Sequence, residues 1–455
     1  MPSRVKEVYK KSRRGEEMLV FISDLHFVDG SAGEHNLSHR AFEYFFEDVA
    51  AIAAKSSNKI KELKIVLLGD IFDLLRTTNW FSYPVAERPW GTDEHAIEVH
   101  ALTLFDAITD HPENSQTFRL FRQGMADLQI KCSLATEPRL FYLPGNHDRL
   151  CNRYSSLRKK VCDCLGIPPA WHNPADLFPH TYEDLAYGVF ARHGHEYDKY
   201  NYEGGTAYTE GDYQRVPIGD PITTELVARL PYALATHLGA IPGLSPGDKQ
   251  NIIRNFQEIE NVRPLSAVIE WLLYQVQQNR TLKEAIEEAV QEVVESFENL
   301  DFVKDWYARH DKWTDWRDEA DKIQAFLFLL RHFKLDRTET LWELAMKAKD
   351  YFVKDDLLAA APQEYLHLDS GVRYVVYGHT HDPLVSPVRS FPAASDPLEQ
   401  VYLNTGTWRG RYYRCTQDKS FIAWKNMTYV IFYQEGERDT PFPVFETWTG
   451  ALKTV

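Results

Sequence analysis

Five short strings in this chain set aspartate, asparagine and histidine at close spacing: SDLH (23–26), GDIFD (69–73), GNHD (145–148), HGH (193–195) and GHTH (378–381). A lone histidine at a strand end is usually a hydrogen-bonded surface group. Two in alternation behind a glycine, His379 and His381, read instead as metal ligands. Oxygen and nitrogen donors without thiolate suit manganese, iron, cobalt, nickel or zinc, with manganese first among them. Two such ions held ~3.5–4 Å apart can stabilise both the attacking and the leaving oxygens of a phosphoryl displacement and lower the pKa of a shared water. That chemistry needs one bridging carboxylate, with ligands on both flanks.

The elements that must position these residues are the apolar runs around them. MLVFISD (18–24), KIVLLGD (64–70), RLFYLPGNHD (139–148), YGVFARHGH (187–195), RYVVYGHTH (373–381) and VYLNTGTW (401–408) are short and β-rich, and they read as buried strands. HRAFEYFFEDVAAIAAKSS lies between the first two and is apolar at helical spacing. The chain therefore begins as strand, helix, strand, the start of a layered α/β fold. Asp24, His26, Asp70, Asn146, His193, His379 and His381 all fall at the carboxyl end of an expected strand, the edge where α/β sheets build sites. GHTH reads as extended chain, in which residues two apart point the same way, so that His379 and His381 address neighbouring ions.

In their order along the chain, the five strings resemble the signature of the calcineurin-like metallophosphoesterase superfamily: DxH, GDxxD, GNH(D/E), a histidine, and GHxH. The resemblance covers about 18–200 and 367–410. It implies a layered β-sandwich core flanked by helices, two divalent transition-metal ions, and a metal-bridging hydroxide. The implied reaction is hydrolysis of a phosphomonoester, a phosphodiester or a nucleotide-linked diphosphate. Carried over residue by residue, it implies Asp70 as the bridge, Asp24, His26 and His381 on one ion, and Asn146, His193 and His379 on the other. His147 would lie beside the metals, bind the phosphate and protonate the leaving oxygen. Asp148 would orient that imidazole, or else simply cap the next helix. Asp73 divides in the same way between supporting a ligand and capping. His195 stays open between replacing His193 as ligand and facing the substrate. Arg76, Arg149, Arg153, Arg409 and Arg411 stand close behind the motifs; one or two of them, Arg149 first, are expected to hold the non-reacting part of a substrate together with Asn404.

GDIFD and the tryptophan-containing segment after it are similar to UDP-diacylglucosamine pyrophosphohydrolases, which usually carry an arginine and HGD where this chain has GNHD and HGH. The serine/threonine protein phosphatase pattern is further away, because Leu74 and Leu75 follow Asp73 in place of RG. A metal-dependent nuclease of the same superfamily is the alternative. A scaffold without catalysis is a third reading, and the competent residue at every ligand position weighs against it.

At 455 residues, with 44% hydrophobic and 26% charged, the chain reads as an ordinary globular protein too long for one simple core. A formal net charge of -15 leaves no general attraction for a phosphate backbone or an anionic membrane. A small or medium-sized phosphorylated molecule is the expected partner, and nucleic acid is not. Five irregularly spaced cysteines suggest a reducing compartment, and the CxC of Cys162 and Cys164 has no second thiolate pair. The basic arm over 1–17 lacks a signal-like apolar stretch, and no later run is long enough to span a bilayer, so the expected location is the cytoplasm.

The organisation expected from these patterns is a phosphoesterase domain in two parts, 18–202 and 367–455. A helical insertion over 203–366 separates them and is expected to act as a lid, a self-association surface or a docking bundle. Within it Leu282, Ala285, Ile286, Ala289, Val290, Val293, Val294 and Phe297 share one helical face, with Thr281 and Glu284 spaced as a capping box. IQAFLFLLRHF (323–333) reads as the centre of a bundle, and a smaller helical excursion covers 92–130.

Overall fold

Apolar runs rich in Val, Ile, Leu, Phe and Tyr satisfy their backbone groups in sheets, and here the sheets number three among the described residues. The computed structural model describes residues 4–6, 16–55, 60–205, 208–239, 241, 243–263, 267–278, 282–310, 323–324, 327, 330, 356–369, 371–391, 398–418, 420–436 and 442–451. The strands are β1 (Arg4–Lys6), β2 (Glu17–Ile22), β3 (Glu62–Leu68), β4 (Arg139–Leu143), β5 (Thr181–Asp184), β6 (Val189–Arg192), β7 (Val262–Arg263), β8 (Tyr374–Tyr377), β9 (Leu384–Phe391), β10 (Leu398–Asn404), β11 (Arg411–Arg414), β12 (Phe421–Trp424), β13 (Asn426–Tyr433) and β14 (Val444–Ala451). One sheet has the order β14-β13-β2-β3-β4, the second β1-β5-β6-β8-β10-β9, and the third β12-β11-β7. β2, β3 and β4 are parallel, as are β6 and β8, whereas β13 runs antiparallel to β2. The fold is thus mixed α/β with open sheets, none of them a closed barrel among the described residues.

Alternation along β2 divides its side chains between two cores. Leu19 and Phe21 join Val66, Leu68, Leu143, Val189, Val376 and Leu403 in a cluster drawn from both large sheets. Met18, Val20 and Ile22 face the other way, with Ile65 and Leu67, into a cluster closed by helices α1 (His39–Ala54), α2 (Glu94–Asp110), α3 (Pro112–Cys132), α4 (Arg149–Arg153) and α5 (Ser155–Leu165). In α1 the 3.6-residue period buries Phe42, Phe45, Phe46, Val49 and Ile52, and Ser38 caps the first turn by accepting from the Arg40 N–H. Each such side chain contributes roughly 1.5–3 kcal/mol on burial. The expected excursion over 92–130 corresponds to α2 and α3. Cys151, Cys162 and Cys164 are core thiols of this same cluster, and all five cysteines are free. On the far face of the six-stranded sheet Val375, Tyr377 and Tyr402 meet Leu357 and Ala361 of the helix Asp356–Glu364.

Between Glu210 and His310 helices predominate and gather a separate cluster. The face foreseen from Leu282 to Phe297 is buried there, on the helix Lys283–Glu298. Thr281 lies outside the described residues. Of the 323–333 run, Ile323, Leu327 and Leu330 are buried in the same cluster. This helical stretch also reaches back to the sheets, because β7 lies within it and pairs with β11 through Tyr412 and Tyr413. Among the described residues no helix is long and apolar enough to cross a membrane.

Parallel pairing sends the carboxyl ends of β2, β3 and β4 to one edge. Beyond the end of β6, the His193 imidazole meets the Leu68 carbonyl at the end of β3 at 2.8 Å, so both large sheets deliver their strand ends to the same place.

Candidate metal centre

Two trios of side chains, all buried except the partly exposed His379, converge at that edge. Asp24, His26 and His381 form one, Asp70, His193 and His379 the other, and in each the ligand-type atoms lie within 4.8 Å of one another. In the first, His26 Nε2 is 3.0 Å from His381 Nε2, and Asp24 Oδ1 is 3.5 Å from His381 Nε2 and 3.9 Å from His26 Nε2. Donors bound to one ion at ~2.1 Å and tetrahedral to square angles stand roughly 3.0–3.4 Å apart, which is close to this spacing. Asp70 belongs to the second trio and also reaches the first: its Oδ2 is 3.1 Å from His193 Nε2 and 3.7 Å from His26 Nε2. Its Oδ1 accepts the His147 backbone N–H at 2.9 Å.

The backbone at these positions is unusual. Seven non-glycine residues have positive φ among the described residues, and five of them are Asp24, His26, Asp70, His379 and His381. A side chain held in that region costs roughly 1–3 kcal/mol, and such strain gathers at sites where function over-determines the geometry. It also corrects the expectation of an extended GHTH. β8 ends at Tyr377, the Gly378 N–H donates to the His193 carbonyl at 2.9 Å, and the His379 N–H donates to both Asp24 oxygens at 3.1 Å. These bonds turn the chain out of the sheet, so His379 and His381 reach different trios from a left-handed turn rather than from one pleat. Gly378 is required there, since a Cβ would sit 2.5 Å from Asp24 Oδ2. At Gly145 a Cβ would sit 2.2 Å from Asp70 Oδ1.

Each histidine is oriented by a second group. His193 donates its Nδ1–H to Leu68, which leaves Nε2 for the trio. His26 Nδ1 faces Asp73 Oδ2 at 3.1 Å, the usual carboxylate support for a metal-type histidine. His379 Nε2 faces Asp198 Oδ2 at 2.9 Å, which leaves its Nδ1 for the second trio. Against His381 Nδ1 lies Arg263 Nη2. A guanidinium only donates, so Nδ1 accepts and the His381 proton sits on Nε2, toward His26. Holding an ion there would displace that proton, as metal binding to histidine does.

Of the two roles left open by the sequence, Asp73 takes the support of a ligand; it caps no helix, since the next one begins at Asn79, and instead closes a turn. Its Oδ1 accepts the N–H groups of Leu75 and Arg76 at 3.2 and 3.1 Å and stands 3.0 Å from His147 Nδ1. Burial opposes a proton on His147, but Asp73 and Asp70 outweigh it and raise its pKa well above the usual histidine value. By distance His147 also qualifies as a ligand, since with His26 and Asp70 it makes a further trio within 4.8 Å. Asp73→Asn should lower divalent-metal affinity by about 10–100-fold through His26 while leaving secondary structure intact, read by metal titration and circular dichroism. Unchanged affinity would remove Asp73 from the centre.

Asp148 does not orient His147, contrary to expectation. Its buried carboxylate accepts three backbone N–H groups, from Phe72 at 2.8 Å, Gly145 at 3.0 Å and Ile71 at 3.2 Å, and so clamps the GDIFD loop to the GNHD loop. It stands at the N-cap position of α4 without a capping bond. Asn404 is likewise absorbed by the framework: Nδ2 donates to the Gly378 carbonyl at 2.6 Å and Oδ1 accepts from Gly406 at 3.0 Å, which fixes the GHTH turn and leaves nothing for a substrate. The five arginines are tied to protein. Arg76 pairs with Glu260 at 2.6 Å, Arg153 with Glu94 at 2.5 Å, and Arg411 with Asp382 at 2.8 Å. Arg409 donates to Asn261 at 2.8 Å, and Arg149 to Asp220 at 2.7 and 3.0 Å. His195 stands outside both trios and lines the adjoining cleft with Asn146.

Asp198, Arg263 and Glu260 were not legible as site residues. Asp198 had a signal, an acid closing the turn after HGH. Arg263 and Glu260 come from the helical stretch, far in sequence from every motif; Glu260 lies with Asp73 and His147 within 4.8 Å.

The chemistry of the donor set fits divalent cations. Asp24 and Asp70 are buried carboxylates, a costly arrangement unless positive charge is near. Burial disfavours a charged His193, yet Asp70 and Asp24 hold its pKa up at about 10, a sign of how strongly the pocket draws positive charge. Asn146 Oδ1 is buried with no hydrogen-bond partner among the described residues, while its Nδ2 donates to Asn201 at 3.2 Å. No protein-family model matches the chain, and no curated protein matches it.

Proposed function

We propose that this chain is a two-metal phosphoesterase of the calcineurin-like metallophosphoesterase type, hydrolysing a phosphomonoester, a phosphodiester or a nucleotide-linked diphosphate. The observation that carries the proposal is the Asp70 carboxylate of the Asp70–His193–His379 trio reaching His26 of the Asp24–His26–His381 trio, at the ends of parallel strands from two sheets. The cluster shared by those sheets, with helices on their outer faces, favours a layered sandwich of that superfamily's kind. A pair of divalent ions, manganese first among the candidates, would supply water activation and charge neutralisation on the phosphoryl group.

The remaining work falls to the chain itself. Asp70 shares its carboxylate between the two halves of the centre. Asp73 holds His26 with Nε2 facing the first trio and keeps a proton on His147. His147 then gives that proton to the departing ester oxygen, and Asp73 steadies the imidazole as it does so. Asp148 holds the two loops that carry Asp70 and His147 in register through their backbone N–H groups.

Metal-loaded protein offered a panel of phosphomonoesters, phosphodiesters, nucleotide diphosphates and single- and double-stranded nucleic acids tests the proposal; cleavage of none would reject it. The arginines nearest the centre are engaged by protein partners, and the net charge is -15. Duplex DNA should therefore bind weakly at physiological salt. A gel-shift titration with tight, steeply salt-dependent binding would favour the nuclease instead.

A further inference from the structure

Arg263 differs from the other arginines around the centre. Arg76, Arg149, Arg153, Arg409 and Arg411 each face a carboxylate. Arg263 is 7% exposed, makes no ion pair among the described residues, and spends its bonds on neutral groups. Nη1 donates to the carbonyls of Glu260 and Val262 at 2.6 and 2.9 Å, and Nη2 donates to His381 Nδ1. The acids of its own turn and of the GHTH turn are engaged elsewhere, Glu260 by Arg76 at 2.6 Å and Asp382 by Arg411 at 2.8 Å and the Tyr413 hydroxyl at 2.5 Å. Asp24 and Asp70 belong to the trios, and Asp73 faces His26 and His147. A buried charge without a counter-charge in contact is costly. Cations held by the trios would add repulsion, so the partner this guanidinium lacks is an anion.

We infer that Arg263 binds the phosphoryl group at this centre, and that the helical stretch supplies it through β7. The inference rests on the phosphoesterase reading. His381 belongs to the first trio, so a guanidinium in contact with it stands at the edge of the centre itself. The two carbonyl bonds anchor one side of its plane, which holds the rest of the fork ready for a charge-assisted bond to a phosphoryl oxygen. The bond to His381 does not compete with that task. With an ion on His381 Nε2 the ring proton moves to Nδ1, where it would face another donor, and Nη2 is released. Metal therefore comes first and phosphate second.

The test reads binding rather than turnover. Stripped and Mn²⁺-loaded full-length protein are each titrated by calorimetry with inorganic phosphate, and Mn²⁺ affinity is measured on the same preparations. Loaded wild type should bind phosphate and stripped protein should not. Arg263→Met should hold Mn²⁺ at least as tightly as wild type, since a cation beside His381 is gone, yet bind phosphate about ten-fold or more weakly. Arg263→Lys keeps the charge without the fork and should fall between the two. The opposite directions of the two affinities separate this role from simple support of the turn. Phosphate affinity unchanged in Arg263→Met, no phosphate bound by loaded wild type, or Mn²⁺ lost from both variants would overturn the inference. Failure of the phosphoesterase reading would look different: phosphate binding that depends on Arg263, with no ester hydrolysed by the same loaded protein.

Discussion

Purified Asp70→Ala protein should carry neither ion, and its turnover should fall by roughly 10⁴-fold or more, because the charge stabilisation from both ions is lost together. The expectation follows from position. Asp70 Oδ2 faces His193 Nε2 at 3.1 Å and His26 Nε2 at 3.7 Å, so one carboxylate serves both trios. His26→Ala should behave differently and weaken chiefly the half it shares with Asp24 and His381. Asp70 Oδ1 also accepts the His147 N–H, so Asp70→Asn, which keeps an acceptor there, separates loss of charge from loss of loop structure. Elemental analysis of the three variants decides. Two ions retained without the Asp70 carboxylate would contradict the bridging role.

His147→Gln should keep both ions and the fold, yet cut turnover by roughly 10² to 10⁴-fold, the range of a positioned general acid. His147 sits 3.0 Å from Asp73 Oδ1, and Asp73 with Asp70 overcomes burial to keep its proton on. The loss should be largest for an alkyl ester, whose leaving oxygen needs protonation, and should shrink for a p-nitrophenyl ester, which does not. Measuring metal content and both rates on one preparation separates the roles that distance leaves open. Loss of an ion would make His147 a ligand, and an equal loss on both substrates would remove it as the acid.

The strands that end in a motif were the legible part of this chain. β2, β3, β4, β6, β8 and β10 lie on the apolar runs that flag them, because a buried parallel strand has no polar face to blur the signal. β13 was missed although NMTYVIFY is as apolar; it pairs with β2 in the same sheet, but nothing chemical follows it. Local geometry was less legible than residue identity. GHTH reads as extended until the Asp24 carboxylate and the His193 carbonyl claim its N–H groups. Asp148 and Asn404 were assigned from the resemblance, and both turned out to spend polar atoms on nearby backbone. Asp73 took the place foreseen for Asp148 because its carboxylate can face two imidazoles at once. Arg263 and Glu260 could not have been read at all, since only the fold brings β7 and the turn before it to the centre.

The central claim is that this centre holds two ions and needs them to cleave a phosphoester. Protein stripped by chelator and titrated with Mn²⁺, with bound metal and hydrolysis of p-nitrophenyl phosphate and its diester followed on the same samples, tests it most directly. Activity should be absent in the stripped protein and should rise as occupancy passes from one to two ions per chain. Two bound ions with neither ester cleaved, or cleavage that persists in the stripped protein, would contradict it.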